Sequence, residues 1–267
     1  MEEFYKIADV IKKSRYTVVL TGAGISVESG IPPFRGKGGL WEKYKPEIYA
    51  TFPTAIFTFL LKPEKFVKFA TEFTETIINA TPNYAHIALA EMEREGLINS
   101  VITQNIDNLH QKAGSRNVIE LHGNLYRWFC LKCGRERVFS KEELENFMKE
   151  LSVKRGRREI LKSYRNFSLC GCGGKLRPSI VFFGENLPYE KFENAQKEAK
   201  RADVFLLIGT SGIVNPAAEL PYIARDSGAF IVDINPGESN LRRISNIFVV
   251  EKATTSMKKI WEIIQSG

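Results

Sequence analysis

An α/β fold, a Rossmann-like parallel sheet with a smaller cysteine-bearing and helical domain beside it, follows from three observations in the sequence. Short apolar runs at Thr17 to Thr21, Ser100 to Thr103, Val118 to Leu121, Val204 to Ile208, Phe230 to Ile234 and Ile247 to Val250 alternate with stretches of helical periodicity. Strands apolar throughout are buried on both faces, which in an alternating chain means a doubly wound parallel sheet. These runs end in glycine-rich or polar turns, where open sheets of this kind hold ligands. All four cysteines fall between Cys130 and Cys172, outside the strand pattern.

A chain of 267 residues buries one large core and a satellite. No apolar run reaches membrane-spanning length and Met1-Glu2-Glu3-Phe4 lacks a secretory pattern, so a cytoplasmic protein with no membrane partner is expected. Disulfides would be unusual there, and the cysteines read as metal ligands. The net charge of +7 favours acidic or nucleic-acid-associated partners, or serves solubility alone.

Taken in order, Phe4, Ile7, Ala8 and Ile11 stand at helical spacing and predict an amphipathic helix before the first strand. Thr17 to Thr21 then runs into Gly22-Ala23-Gly24-Ile25-Ser26. Without Cβ atoms, the glycine N–H groups can approach a pyrophosphate, the next helix would point its positive end at it, and Ser26 and Ser29 add hydroxyls. The G-x-G-x-x-x-x-x-G spacing departs from the dinucleotide fingerprint, and a tight turn with no ligand would need the same glycines. A second glycine cluster, Gly36 to Gly39, predicts a cover over the first. The aromatics Trp41, Tyr44, Tyr49, Phe52, Phe57, Phe59, Phe66, Phe69 and Phe73 read as helical core in preference to an apolar groove.

Asn83 to Glu95 predicts a helix stopped at Gly96, with His86 as a hydrogen-bonded structural residue. The second strand ends in Gln104-Asn105-Ile106-Asp107-Asn108-Leu109-His110. Polar groups packed after a buried strand are costly unless they face a cavity. The third strand ends in His122-Gly123, placing an imidazole where a general base would stand; alone it would read as a packing histidine.

Cys130-x-x-Cys133 and Cys170-x-Cys172 read as two halves of a tetrahedral zinc site, the second one residue short, with a degraded or labile site as the alternative. Filled by cysteines, the site has no open position and a structural role, so the smaller domain is zinc-binding. Lys154, Arg155, Arg157, Arg158, Lys162 and Arg165 between the pairs read as a solvated helix face or a nucleic-acid contact. Pro178 to Glu185 reads as a strand. Gly209-Thr210-Ser211-Gly212 suits phosphate or ribose, and Asn235 a ribose hydroxyl.

In sequence order, Gly22-Ala23-Gly24-Ile25-Ser26, Ser29-Gly30-Ile31-Pro32, Phe34-Arg35-Gly36, Gln104-Asn105-Ile106-Asp107, Leu121-His122-Gly123, the cysteine pairs, Arg177-Pro178, Phe183-Gly184-Glu185 and Gly209-Thr210-Ser211 resemble the motifs of the sirtuins, NAD-dependent protein lysine deacylases. Gly39 to Trp41 and Ala50-Thr51 are most similar to prokaryotic class III members. The resemblance implies NAD across the strand ends, its pyrophosphate on Gly22, Ala23 and Gly24 beside Ser26, with Phe34, Arg35 and Trp41 in a cofactor loop. It implies Gln104 at the nicotinamide ribose and Asn105, Ile106 and Asp107 around the nicotinamide. Gly209, Thr210, Ser211, Asn235, Pro236 and Ala253 would lie toward the adenosine. Val181, Phe182, Phe183 and Gly184 would pair with the substrate backbone or cover the acyl-lysine tunnel.

In the implied reaction the acyl oxygen attacks the anomeric carbon and expels nicotinamide. His122, with Asn105 as the other catalytic residue, then deprotonates a ribose hydroxyl. The implied partners are acylated-lysine proteins or peptides, DNA-associated proteins among them. The same NAD site would serve the alternative, protein mono-ADP-ribosyl transfer; a zinc-bearing DNA-binding module is the non-enzymatic reading. The expected division is 1–34, 85–124 and 178–267 for the Rossmann-like NAD-binding domain, 35–84 for the cofactor loop and helical module, and 125–177 for the zinc module.

Three positions depart from the family. Pro33 replaces an acidic residue or threonine, the second cysteine pair is shortened after a long insert, and the Y-x-x-R pair that selects succinyl or malonyl groups falls at Ala70 and Phe73. Without that cation, acetyl or longer apolar acyl groups are expected to be preferred over succinyl.

Overall fold

The computed structural model describes residues 1–34 and 38–267. The expectations for Arg35, Gly36 and Lys37 lie outside the described residues. The described residues form nine strands: β1 Thr17–Thr21, β2 Ser100–Thr103, β3 Val118–Glu120, β4 Arg127–Cys130, β5 Glu136–Val138, β6 Leu176–Pro178, β7 Val204–Ile208, β8 Phe230–Ile234 and β9 Ile247–Val249.

Six of them form one sheet in the order β3-β2-β1-β7-β8-β9, every pair parallel. From β1 the chain winds outward to β2 and β3, and from β7 to β8 and β9, so the winding reverses between β1 and β7, where sheets of this class open a crevice. Each central strand is buried on both sides because its alternate residues serve two cores. Val19 packs with the helices Glu2–Lys13, Tyr84–Arg94 and Ala253–Ser266, whereas Val18 and Leu20 pack with Tyr189–Arg201 and Leu220–Asp226.

The antiparallel sheet β5-β4-β6 carries the cysteines. Its core joins Trp128 to Phe139, Phe147 and Leu151, and takes in Val67, Ile77 and Ile78 from the helix Pro63–Asn79. The long insert forms two helices, Lys141–Val153 and Arg157–Phe167, pinned by Phe147 and Phe167, whose rings stack 3.7 Å apart. Arg155, Arg157, Arg158, Lys162 and Arg165 are exposed. Among the described residues, no helix is long and apolar enough to cross a membrane.

Three local expectations are corrected. Only Leu176–Pro178 joins a sheet; from Ser179 onward the extended backbone changes partner at alternate residues. Ser179 N–H donates to Arg127 O, carrying the β4–β6 pairing one residue further, whereas Val181 N–H donates to His122 O and Phe183 N–H to Ala50 O, so beyond Ser179 the segment crosses to other parts of the chain and extends neither sheet. The helix after Gly22 is a seven-residue 3-10 helix, Ala23–Ser29, with too few aligned peptides for much of a dipole. Of the aromatics read as core, Tyr44 and Phe69 are buried, but Phe52 and Phe57 face solvent.

Candidate active site and cysteine centre

Four parallel strands end side by side. Gly22 follows β1, Gln104 follows β2, His122 lies two residues past β3, and Gly209 follows β7. Gly22 N–H donates to Ile208 O at 3.1 Å and Gly24 N–H to Gly209 O at 2.9 Å. A Cβ on Gly24 would stand 2.6 Å from Gly209 Cα, and Gly209 has φ +62. These glycines therefore interlock two turns across the crevice. Their N–H groups are engaged within the protein.

Beside them lies a pocket of about 180 Å³ whose lining includes Ala23, Ser26, Phe34, Asn105, Ile106 and Asp107. Ile31, Leu40, Phe73 and Ile77 supply its apolar walls. Asn105 Nδ2 donates to Gly22 O and to Ser26 Oγ, each at 3.1 Å, and Ser26 Oγ donates to Asp107 Oδ2 at 2.7 Å. Leu109 N–H donates to Asp107 Oδ1 at 2.9 Å. Asn105 keeps its Oδ1 as an acceptor. Burial raises the Asp107 carboxyl against the pull of those two hydrogen bonds.

His122 Nδ1 lies 2.9 Å from Gln104 O. A carbonyl only accepts, so the ring carries its proton on Nδ1 and keeps the Nε2 lone pair. Burial lowers its pKa while the Gln104 carbonyl opposes the shift, and the ring is neutral at pH 7. Gly123 makes the turn possible: with φ +83, a Cβ there would sit 1.4 Å from Ser179 O.

The remaining cofactor candidates form a second group. Gln104 Nε2 donates to Thr210 Oγ1 at 2.9 Å, and Asn235 Nδ2 to Thr210 O at 2.8 Å. Asn235 Oδ1 accepts from Gly237 N–H at 3.1 Å, so this amide shapes its own turn, against the expectation of a free ribose ligand. Ser211 O accepts from Asn240 N–H, Pro236 is exposed, and Ala253 opens the terminal helix. In the cofactor loop Phe34 stacks on Trp41 at 5.5 Å, and Trp41 meets Phe183 edge-on at 6.2 Å.

The segment holding Val181, Phe182, Phe183 and Gly184 is braced by a pair to which sequence reasoning gave no role. Arg177 Nη1 and Nη2 donate to Glu185 Oε1 and Oε2 at 2.8 and 2.9 Å, and Phe182 N–H donates to Glu185 Oε2 at 2.9 Å. With the N–H groups of Val181, Phe182 and Phe183 all engaged, the expected pairing with a substrate backbone is left to the Val181 carbonyl and Gly184. The signal was available, since a cation and an anion flank the aromatic run. Also missed was Lys43, which lines the pocket and pairs with Glu72, itself bonded by the Tyr44 hydroxyl.

A second missed feature is internal. His86 and His110 are buried with their rings 5.0 Å apart. His86 Nδ1 accepts from Asn83 N–H and His110 Nε2 meets Thr21 Oγ1 at 2.9 Å, while His86 Nε2 and His110 Nδ1 have no partner among the described residues. Burial pushes His86 down to about 4, and His110 well below its usual range.

The four cysteine Sγ atoms lie within 4.8 Å of one another, with Cys130 to Cys172 at 3.6 Å and Cys133 to Cys170 at 3.9 Å. Zinc–sulfur bonds of about 2.3 Å at tetrahedral angles separate sulfurs by about 3.8 Å, so the set fits zinc despite the shortened pair. Gly174 accommodates it: a Cβ there would sit 2.6 Å from Cys130 Sγ.

A model of the Sir2 family matches residues 22–216. An NAD-dependent protein deacetylase from Thermodesulfovibrio yellowstonii is 43% identical over 265 residues, 99% of this chain and 96% of its own. An NAD-dependent protein deacylase from Pyrococcus furiosus is 42% identical over 260 residues, 97% of each chain. A solved Sir2–p53 peptide–NAD+ complex is 38% identical, superposes with a TM-score of 0.79 and matches 98% of both chains. The four strand ends, the pocket they enclose and the cysteine centre thus occur together in a chain alike along almost its whole length to these enzymes, and it belongs to the Sir2 family.

Proposed function

We infer that this chain removes acyl groups from protein lysines with NAD as co-substrate, releasing nicotinamide and an O-acyl-ADP-ribose. One observation carries the reading: an imidazole whose proton is fixed on Nδ1 by Gln104 O, one residue from Asn105 on the pocket wall. Bound NAD supplies an electrophilic anomeric carbon. The rest falls to the chain's own residues.

The pocket, apolar walls ending in the Asn105 amide oxygen and the Asp107 carboxylate, suits a flat ring bearing a carboxamide. Asn105, Ile106 and Asp107 would orient that ring, with Ala23, Ser26 and Phe34 beside it and Trp41 backing Phe34. Gln104 sits where it can reach the adjoining ribose, and Gly209, Thr210, Ser211, Asn235, Pro236 and Ala253 form the adenosine end. His122 Nε2 accepts the ribose hydroxyl proton. Val181, Phe182, Phe183 and Gly184 bound the acyl-lysine channel. Cys130, Cys133, Cys170 and Cys172 hold zinc as a structural ion. Acylated-lysine proteins or peptides are the substrates, in the cytoplasm, and DNA-associated proteins suit the charge of +7. Mono-ADP-ribosyl transfer would use the same site, and no feature of it favours that reaction.

Nicotinamide release from an acetyl-lysine peptide tests the reading. The wild type should yield O-acetyl-ADP-ribose, and His122→Ala should lose roughly 10² to 10⁴ in kcat while binding NAD. ADP-ribose on the protein in place of the acetylated sugar would overturn it.

A further inference from the structure

The helix Thr54–Leu61, TAIFTFLL, holds six apolar residues and two threonines yet buries only Ala55. Ile56, Phe57, Leu60 and Leu61 are 40, 56, 38 and 67% exposed. Their spacing, i, i+1, i+4 and i+5, puts them on one face, and Phe52, just before the helix, is exposed as well. A contiguous apolar face on a soluble surface marks a contact site.

The stripe is continuous with the segment assigned above to the substrate. Phe52 N–H donates to Phe183 O at 2.8 Å, Phe183 N–H donates to Ala50 O at 2.8 Å, and Phe183 is itself exposed. The rim carries both signs, with Lys45, Glu47, Lys62, Glu64 and Lys65 all exposed and Arg157 Nε donating to Leu60 O at 2.7 Å. A mixed rim around an apolar centre is the anatomy of a protein contact, whereas a helix lying on an anionic membrane carries mainly lysine and arginine beside its apolar face.

We propose that this face extends the substrate site and binds apolar side chains of the polypeptide flanking the acyl-lysine. The proposal rests on the deacylase reading and narrows its substrates to proteins with leucine, isoleucine, valine or phenylalanine near the modified lysine. Eight helical residues are about 12 Å long, which an extended chain covers in about four residues.

The test compares the wild type with Phe57→Ser/Leu61→Ser, both changes on the surface, where little packing is lost. Substrates are capped acetyl-lysine and two long acetyl-lysine peptides, one with apolar and one with serine-glycine flanks. Peptide binding is read by fluorescence anisotropy and turnover by nicotinamide release. The wild type should bind the apolar-flanked peptide roughly tenfold more tightly, with KM lower to match, the weight of one buried apolar side chain. The double variant should lose that preference and keep its kcat and its rate on capped acetyl-lysine.

A variant that keeps the preference, or loses capped acetyl-lysine turnover to the same degree, would overturn the proposal. So would a wild type without preference whose sedimenting dimer, or binding to phosphatidylcholine vesicles, disappears in the variant. Flank-dependent anisotropy lost in the variant, with no nicotinamide released from any peptide, would defeat the deacylase reading and leave the docking face standing.

Discussion

His122 can accept a proton only while neutral, and its burial, outweighing the opposing pull of the Gln104 carbonyl, keeps it so below the pH at which a free histidine charges. The acid limb of kcat/KM is therefore expected below pH 6.5, the ordinary value, with activity lost as pH falls through the lowered pKa. A limb above it would show that another group titrates. The pocket's lining also bears on acyl choice, because Phe73 stands where the family's charge-selecting arginine would fall. Phe73 lines it as an apolar wall, and Lys43, the cation among its described lining residues, is already paired with Glu72. An acidic acyl group would have to displace that carboxylate, forgoing a charge-assisted interaction of about 1.5 to 3 kcal/mol. Acetyl peptides should accordingly outpace succinyl peptides in kcat/KM, and Glu72→Gln should narrow the gap; faster desuccinylation by the wild type would refute this.

Among the elements, the stretch from Ser179 to Glu185 depends most on one side chain. Glu185 accepts from Arg177 and from Phe182 N–H, so Glu185→Ala frees both ends of the turn. The expected result is a peptide KM raised about tenfold, the loss of one or two charged hydrogen bonds, with KM for NAD unchanged. Equal effects on both constants would mean a general loss of fold. This stretch also marks the limit of what a sequence discloses. Strands such as Val204–Ile208 were legible because burial on both faces demands an unbroken apolar run. Val181-Phe182-Phe183 has the same composition, yet its hydrogen bonds run to residues near 50 and 122, and no local pattern encodes partners that far off. Likewise His122 and Asn105 could be placed at strand ends from composition alone. The engagement of the Gly22, Gly24 and Asn235 polar groups could not, since it depends on how neighbouring turns meet. Lys43 was hidden for the opposite reason: an exposed lysine on a short helix looks like any other until its Glu72 partner is seen.

Across the whole molecule, the two buried histidines couple stability to pH. His86 titrates near 4 when folded and near 6.5 when unfolded, so between those values the unfolded chain takes up a proton that the folded chain refuses. Stability is full above 6.5, falls as the pH drops and levels off below about 4, a loss of about 3 kcal/mol from this residue, with His110 acting in the same direction. Denaturant midpoints should therefore drop between pH 7.5 and pH 5, and less steeply in His110→Gln; a flat profile would rule the coupling out. The cysteine lobe should behave unlike a zinc finger. Because Trp128, Phe139, Phe147 and Phe167 tie it into an apolar core shared with the helix Pro63–Asn79, chelation is expected to lower Tm while leaving most of the helical circular dichroism. Complete unfolding on chelation would show that the aromatic core cannot stand without metal.

The stitching of Ser179, Val181 and Phe183 to three separate parts of the chain limits how the molecule can breathe. Drawing Ala50 and the end of β3 away from this segment would break the Val181 and Phe183 bonds together, while the Ser179 bond stays within the antiparallel sheet. A crosslink holding those two contacts closed is expected to slow the departure of a bulky product.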